Sequence, residues 1–130
     1  MSLKMTWHDR TSAIPNWLWR ECFAPPKQGL FWFRALELGT YKDQFQLLFG
    51  LLSVDDAPIG IVPAFIFDLP LELVMPPALS PHITLLARGP LRRVAYQRTL
   101  FIGNIAGEEG HVGLLPGRAL GDVAAFIHDA

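Results

Sequence analysis

The sequence predicts an α+β domain in which short helices precede a mainly antiparallel sheet built on a long β-hairpin, and a helix follows the sheet. Two apolar runs, residues 45–54 and 59–67, flank the polar break DDAP at residues 55–58. The runs are rich in leucine, β-branched and aromatic residues, which suit the pleated surface of a strand. Aspartate and proline favour turns, because proline pre-sets φ and aspartate bonds to nearby backbone. These features predict two central strands joined by a turn.

Two short helices are predicted before the hairpin. The first covers residues 16–24, because Pro15 favours a helix start and two prolines follow its end. The second covers residues 30–38 and is followed by Gly39, a candidate C-cap.

The hairpin strands do not alternate between polar and apolar residues. Such continuous runs indicate strands that are covered on both faces, or strands whose second face is lent to a partner. Pro63 removes one ladder donor from the second run, so we expect an edge position or a bulge there.

The segment after the hairpin is harder to assign. Five prolines fall within residues 68–90, which we predict to be mainly irregular or extended. A third strand is predicted at residues 98–105, and a glycine-rich loop follows it. Residues 120–130 have the spacing of an amphipathic helix, with apolar side chains at Leu120, Val123, Ala124 and Ile127.

Length and composition bound the organisation of the chain. With 130 residues, it is one domain or an incomplete part of a larger one. Residues 1–5 have the character of a cloning leader and a disordered start, so the domain is assigned to residues 6–130. The chain is 51% hydrophobic and 18% charged, which excludes a disordered protein.

Charge and cysteine usage exclude several further classes. A net charge of −1 gives no electrostatic footprint for DNA. No run of about 18 uninterrupted apolar residues exists, so no membrane helix is predicted. The single cysteine, Cys22, rules out an internal disulfide and fits a reducing cytoplasm. Its neighbours carry no cationic pattern, so a buried or half-buried structural thiol is expected there.

Candidate chemistry rests on isolated residues. The four histidines have no i, i+4 pair and no cysteine partner, so no metal site is predicted. His82 and His111 are pocket candidates as general bases, with a solvated loop histidine as the alternative. Arg88 and Arg92 belong to a basic cluster broken by a Gly-Pro pair, and the cluster would bind phosphate or CoA or form a solvated rim.

The glycine-rich loop and the aromatic residues each allow two interpretations. The loop lies between a strand and a helix, as phosphate loops do, but it lacks a Gly-Lys-Ser/Thr ending and carries two glutamates. A surface loop is therefore the competing interpretation. Six aromatic residues fall between positions 17 and 33, and two short helices cannot bury all of them. Core packing is the default, and a partner surface or substrate groove that includes Trp32 is the alternative.

Several short motifs together resemble the N-terminal half of the FemAB-like branch of GNAT-type acyltransferases, which are large bacterial proteins with two tandem GNAT-like units. The motifs are FRALE at residues 33–37, APIGIVP at 57–63, TLFIG at 99–103 and GLLPG at 113–117. In that family an "ALE" helix precedes a strand pair whose second strand carries a proline. A later "f-x-G" strand leads into a helix. The resemblance spans roughly residues 14–128.

The resemblance implies a GNAT-like N-terminal part of a protein that transfers an acyl or aminoacyl group to an amine. The intact protein would use acyl-CoA or aminoacyl-tRNA. The pyrophosphate loop of the family, R/Q-x-x-G-x-G/A, is absent here. Residues 88–93 do not replace it, because Pro90 lacks a backbone N–H that the loop needs. If the resemblance holds, no residue of this chain can be carried over as catalytic, no cofactor is expected in it, and the chain alone would be inactive.

Two partners follow from these expectations. The apolar strands would be completed by a missing C-terminal half or by another copy of the chain. The alternative to the acyltransferase-related function is a non-enzymatic interaction or oligomerisation module, which would use the apolar strand faces and the Trp-rich helical surface. A small ligand-binding domain, with a pocket between the hairpin and residues 70–90, is a third hypothesis.

Overall fold

The computed structural model describes residues 2–24, 29–39, 44–103 and 112–129. This part of the chain has an α+β fold with α-helices and one antiparallel sheet, which is the fold class that the sequence predicts. In chain order the elements are β1 (Leu3–His8), α1 (Asn16–Cys22), α2 (Leu30–Leu38), β2 (Gln46–Val54), β3 (Ala57–Pro70), α3 (Ser80–Arg88), β4 (Tyr96–Ile102), β5 (Gly113–Leu114) and α4 (Ala124–Asp129). Short 3₁₀ helices lie at Thr11–Ala13, Leu71–Leu73, Pro77–Leu79, Arg92–Ala95 and Leu120–Asp122.

The described strands form a sheet in the order β1-β2-β3-β4, and every pairing is antiparallel. Strand β3 is the longest and has two partners on its second edge. Its outer half pairs with β4, from Ala64 opposite Ile102 to Pro70 opposite Tyr96. Its inner half pairs with the two residues of β5, which lie opposite Gly60 and Ile61. The sheet is therefore organised around β3.

The predicted hairpin is confirmed, with a tighter turn than the sequence suggested. Only Asp55 and Asp56 form the turn, with φ of 48° and 67°. Two consecutive residues with positive φ are typical of a type I′ turn, whose twist matches that of the flanking strands. Aspartate tolerates this region better than most residues because its short side chain bonds locally. Ala57 and Pro58 already belong to β3.

Pro63 lies in an interior strand, and the hydrogen-bonding phase explains why it is tolerated. The amide of Gly103 donates to the carbonyl of Pro63 at 2.7 Å, so the N–H position of Pro63 faces β4 rather than β2. Gly103 follows the last residue of β4. The missing donor therefore falls at the end of the β3–β4 ladder. The expected edge position is wrong, and the bulge of this hairpin lies elsewhere, between Leu52 and Ser53.

One face of the sheet is covered by α1 and α2. Trp19 is at the centre of this core, with ring centroids 5.5–5.7 Å from those of Phe23, Phe33 and Phe49. Cys22 is buried in the same cluster, as expected for a structural thiol, and Ile61 contributes from β3. Aromatic packing of this kind fixes the two helices against β2 and β3.

The opposite face is covered by α4. Val123 and Ile127 pack against Leu52, Ile59 and Val62, with Leu3 and Met5 of β1 at the periphery. Adjacent residues of a strand point to opposite faces, so Ile61 and Val62 belong to different cores. The inner part of the hairpin is thus covered on both faces, as its continuous apolar sequence predicts.

The outer part of the sheet is less well covered. Phe65, Phe67 and Phe101 stack on one another with centroids 4.9–5.9 Å apart, and all three remain half-buried. Beyond them, residues 71–95 form a small helical lobe between β3 and β4, which we call the distal lobe. Most of the exposed large apolar side chains of the described chain belong to this lobe or to β4.

Two predictions about chain organisation are wrong. Residues 3–5, assigned to a disordered leader, are part of β1 and pair with residues 52–54 of β2. The start of the domain at residue 6 is therefore too late. The proline-rich segment is not mainly irregular, because α3 occupies Ser80–Arg88. Pro81 lies in the first turn of this helix, where a missing N–H costs no intrahelical hydrogen bond.

Candidate functional site

A cleft of about 600 Å³ lies between the 3₁₀ turn at Thr11–Ala13, the end of α2 and the start of β2. Its apolar lining consists of Leu36, Phe45 and Leu47. Its polar lining consists of Asp9, Arg10, Ser12, Glu37 and Gln46. A volume of this order lies in the range typical of sites for small ligands.

The carboxylate of Glu37 holds one wall of this cleft together. The backbone N–H of Thr11 donates to Oε1 of Glu37 at 2.6 Å, and the Thr11 hydroxyl donates to Oε2 at 2.5 Å. Thr11 is 2% exposed and is the buried polar residue of the described core. Its carbonyl accepts a hydrogen bond from the indole of Trp19 at 3.3 Å. Glu37 therefore ties α2 to the turn that precedes α1.

This arrangement determines which groups remain available for chemistry in the cleft. Both carboxylate oxygens of Glu37 already accept hydrogen bonds from Thr11, so Glu37 acts here as a structural anchor rather than a free base. Asp9 and Arg10 are exposed and bring charges of both signs to the opening. The cleft offers an apolar wall with mixed charges beside it.

A smaller cavity of about 200 Å³ lies between the end of β3 and the distal lobe. Ile83, Thr84 and Arg88 of α3 line it, together with Glu72 and Tyr96. The Thr84 hydroxyl lies 3.4 Å from a carboxylate oxygen of Glu72. The cavity corresponds to the location of the third hypothesis, but its volume is below the range typical of ligand pockets.

The predicted pocket residues that the structure describes lie in the distal lobe and in α2. His82, Arg88 and Arg92 belong to the distal lobe, where all three are exposed. Trp32 is half-buried on α2 and packs against the core around Trp19. Arg88 lines the smaller cavity, whereas Trp32 is in the lining of neither cavity. His111 and the loop at residues 104–111 lie outside the described residues.

The aromatic residues of the helices divide as expected between core and surface. Trp19, Phe23 and Phe33 are buried. Trp17 is 45% exposed and Phe31 is 88% exposed. The helical surface therefore carries large aromatic side chains that the core does not use.

The described residues contain neither a candidate metal-binding cluster nor a membrane-spanning helix. Residues 2–24, 29–39, 44–103 and 112–129 contain no group of three or more histidine, cysteine or acidic residues that could hold a metal ion. Within the same residues, none of the helices is long and apolar enough to cross a bilayer.

Sequence reasoning missed the cleft as a site. Glu37 was recognisable as part of the FRALE motif, but its partner Thr11 lies 26 residues earlier in a polar segment without periodicity. A short polar segment gives no signal about which distant carboxylate it will contact.

Comparison with protein-family models, with curated proteins and with solved structures gives no match for this chain.

Proposed function

We propose that this chain is the N-terminal portion of an acyltransferase-related protein of the FemAB-like, GNAT-type class, which in its intact form transfers an acyl or aminoacyl group to an amine. The order of the elements supports the proposal. The FRALE motif lies in α2, directly before the β2–β3 pair, and Pro63 lies in the second strand of that pair. The FIG sequence at residues 101–103 closes β4, and α4 follows later in the chain.

The position of Arg88 in the fold does not favour a pyrophosphate site at this residue. Arg88 is the last residue of α3, and Gly89 and Pro90 follow it in a turn. The C-terminal end of a helix carries partial negative charge and free carbonyls, which oppose a pyrophosphate. Phosphate sites use the N-terminal end of a helix and its backbone N–H groups. Arg88, which is exposed at this end of α3, is therefore better explained as a solvated surface residue.

Binding of the donor tests this proposal. The reading frame that contains these 130 codons should be expressed to its natural stop, beside residues 1–130 alone. We expect the full product to bind acyl-CoA or aminoacyl-tRNA with a saturable shift in melting temperature, and residues 1–130 to give no shift. A stop directly after codon 130 would contradict the proposal, and so would a saturable shift of residues 1–130 by acyl-CoA.

A second candidate function is an interaction or oligomerisation module. The observation that favours it is the exposure of large apolar side chains along the distal lobe and β4, among them Leu73, Leu85 and Leu91. Scattered apolar residues are normal on protein surfaces, but many in one region mark an interaction surface. The solution mass of residues 1–130 tests this function, because a strict monomer that binds no partner would contradict it.

A further inference from the structure

Strand β4 is at the end of the described sheet, and among the described strands only β3 pairs with its backbone. The Gly103-to-Pro63 hydrogen bond sets the phase of the β3–β4 ladder. Hydrogen-bonded and non-hydrogen-bonded pairs alternate in an antiparallel ladder, so the odd-numbered residues of β4 direct their N–H and C=O groups toward β3. The even-numbered residues direct theirs toward the outer edge: Tyr96, Arg98, Leu100 and Ile102. No described strand pairs with that edge.

The sequence of β4 is self-complementary in one register. If two copies pair antiparallel about a two-fold axis at Thr99, Tyr96 lies opposite Ile102, and Arg98 lies opposite Leu100. All four outward-facing residues then form hydrogen-bonded pairs. The Thr99 residues of the two copies face each other in a non-hydrogen-bonded pair, and Thr–Thr pairs are favourable across strands. The pairing of Tyr96 with Ile102 is an aromatic–β-branched pair, which is also favourable.

Neighbouring registers satisfy fewer groups. Pairing centred on Arg98 would place two arginines directly opposite each other, which is unfavourable, and would leave Ile102 without a β4 partner. Pairing centred on Leu100 would leave Tyr96 without one. A shift by one residue would oppose outward-facing groups with inward-facing ones, which cannot bond.

Side-chain exposure also distinguishes β4 from the other edge. Tyr96, Leu100 and Ile102 are all exposed apolar residues, and Leu100 is 47% exposed. The opposite edge strand, β1, has Trp7 as its exposed large apolar residue and also carries Lys4, and natural edge strands use lysine to discourage association. The distal lobe adds further exposed apolar side chains next to β4.

From this geometry we infer that two copies of the chain associate edge to edge through β4, in the register centred on Thr99, to form one continuous sheet. The inference rests on the second candidate function, for which it supplies the partner and the contact. An edge strand with exposed apolar side chains is a template for pairing with another strand, and self-pairing covers it.

Cysteine cross-linking tests directly whether the two β4 strands pair in the register centred on Thr99. Thr99→Cys would bring two Cβ atoms to about 5 Å across the two-fold axis, close enough for a disulfide after small adjustment. Gln97→Cys is the matched control, because its symmetry mate would be roughly 14 Å away, four residues along the strand and one strand across. Oxidation with copper phenanthroline should cross-link T99C rapidly and Q97C slowly. Wild type, whose Cys22 is buried, should not cross-link.

Charge at position 100 provides an independent test. Each Arg98 lies opposite residue 100 of the other copy, so the dimer contains this pair twice. Leu100→Glu therefore creates two opposite-charge pairs, and Leu100→Lys creates two like-charge pairs. We expect the dimer dissociation constants of L100E and L100K to differ by about tenfold or more, with L100K the weaker. Thr6→Lys on the opposite edge should leave the constant unchanged. Circular dichroism should give equal folding for all variants, because both positions are surface positions.

The outcomes separate this inference from the function on which it rests. Equal dimer dissociation constants for L100E and L100K would overturn the Thr99 register while the module function stands. Faster cross-linking of Arg98→Cys or Leu100→Cys than of T99C would do the same. A strict monomer at high micromolar concentration that binds no partner would overturn both. Sedimentation equilibrium measures the dissociation constants for every variant.

Discussion

Replacement of Glu37 by alanine should destabilise the fold strongly, although Glu37 lies beside a cleft and belongs to the FRALE motif. The substitution removes the acceptor of two hydrogen bonds from Thr11. Thr11 is buried, so its N–H and its hydroxyl would both lose their partner. The same residue accepts the Trp19 indole hydrogen bond, so the loss would extend to the centre of the core.

The magnitude follows from the cost of buried groups without partners. Each such group costs about 1–3 kcal/mol, so two groups would cost about 2–6 kcal/mol. The adjacent cleft admits water, which would restore part of the loss. We therefore expect Glu37→Ala to lower the free energy of unfolding by about 3 kcal/mol, a large part of the stability of a typical domain. Glu37→Gln should cost about 1 kcal/mol, because the amide can both accept from the Thr11 N–H and donate to its hydroxyl.

Urea unfolding followed by tryptophan fluorescence measures these differences, and the slope of the unfolding free energy against urea should stay constant. A double-mutant cycle with Thr11→Val isolates the contribution of the hydroxyl, and we expect a coupling of about 1 kcal/mol or more. Equal stability of wild type and Glu37→Ala within about 0.5 kcal/mol would refute the anchor role.

Two further substitutions test the packing. Gly113→Ala should destabilise the domain by about 1–3 kcal/mol, because its Cβ would lie 2.5 Å from the ring of Phe23, whereas Gly121→Ala, with nothing within 4 Å, should be neutral or slightly stabilising. Trp19→Ala should cost about 3–5 kcal/mol and Trp17→Ala less than about 1 kcal/mol, since the first is buried and the second is 45% exposed. Thermal melting followed by circular dichroism checks both pairs. Equal losses within either pair would show that the assignment of core and surface is wrong.

The sequence predicted the elements whose signals are local. The hairpin was predictable because Asp55 and Asp56 interrupt two long apolar runs, and because aspartate suits the turn. Helices α1 and α2 were predictable from proline and glycine at their ends. In each case the deciding residues lie within a few positions of the element that they define.

The sequence did not predict the features that depend on distant partners. Residues 3–5 have a weak strand pattern, and only pairing with β2 makes them a strand. Pro63 can occupy an interior strand because β4 ends beside it, which no local signal shows. The Thr11–Glu37 contact joins a polar turn to a helix far along the chain. Helix α3 was missed because proline at a first turn and proline in an irregular segment look alike in sequence.

The most direct test of the proposed function is transfer itself. The product of the full reading frame should be incubated with radiolabelled acyl-CoA or aminoacyl-tRNA and a panel of amine acceptors, beside residues 1–130 under the same conditions. The proposal expects label on an amine with the full product and none with residues 1–130. Absence of transfer from either donor by a folded full product, or transfer by residues 1–130 alone, would contradict it.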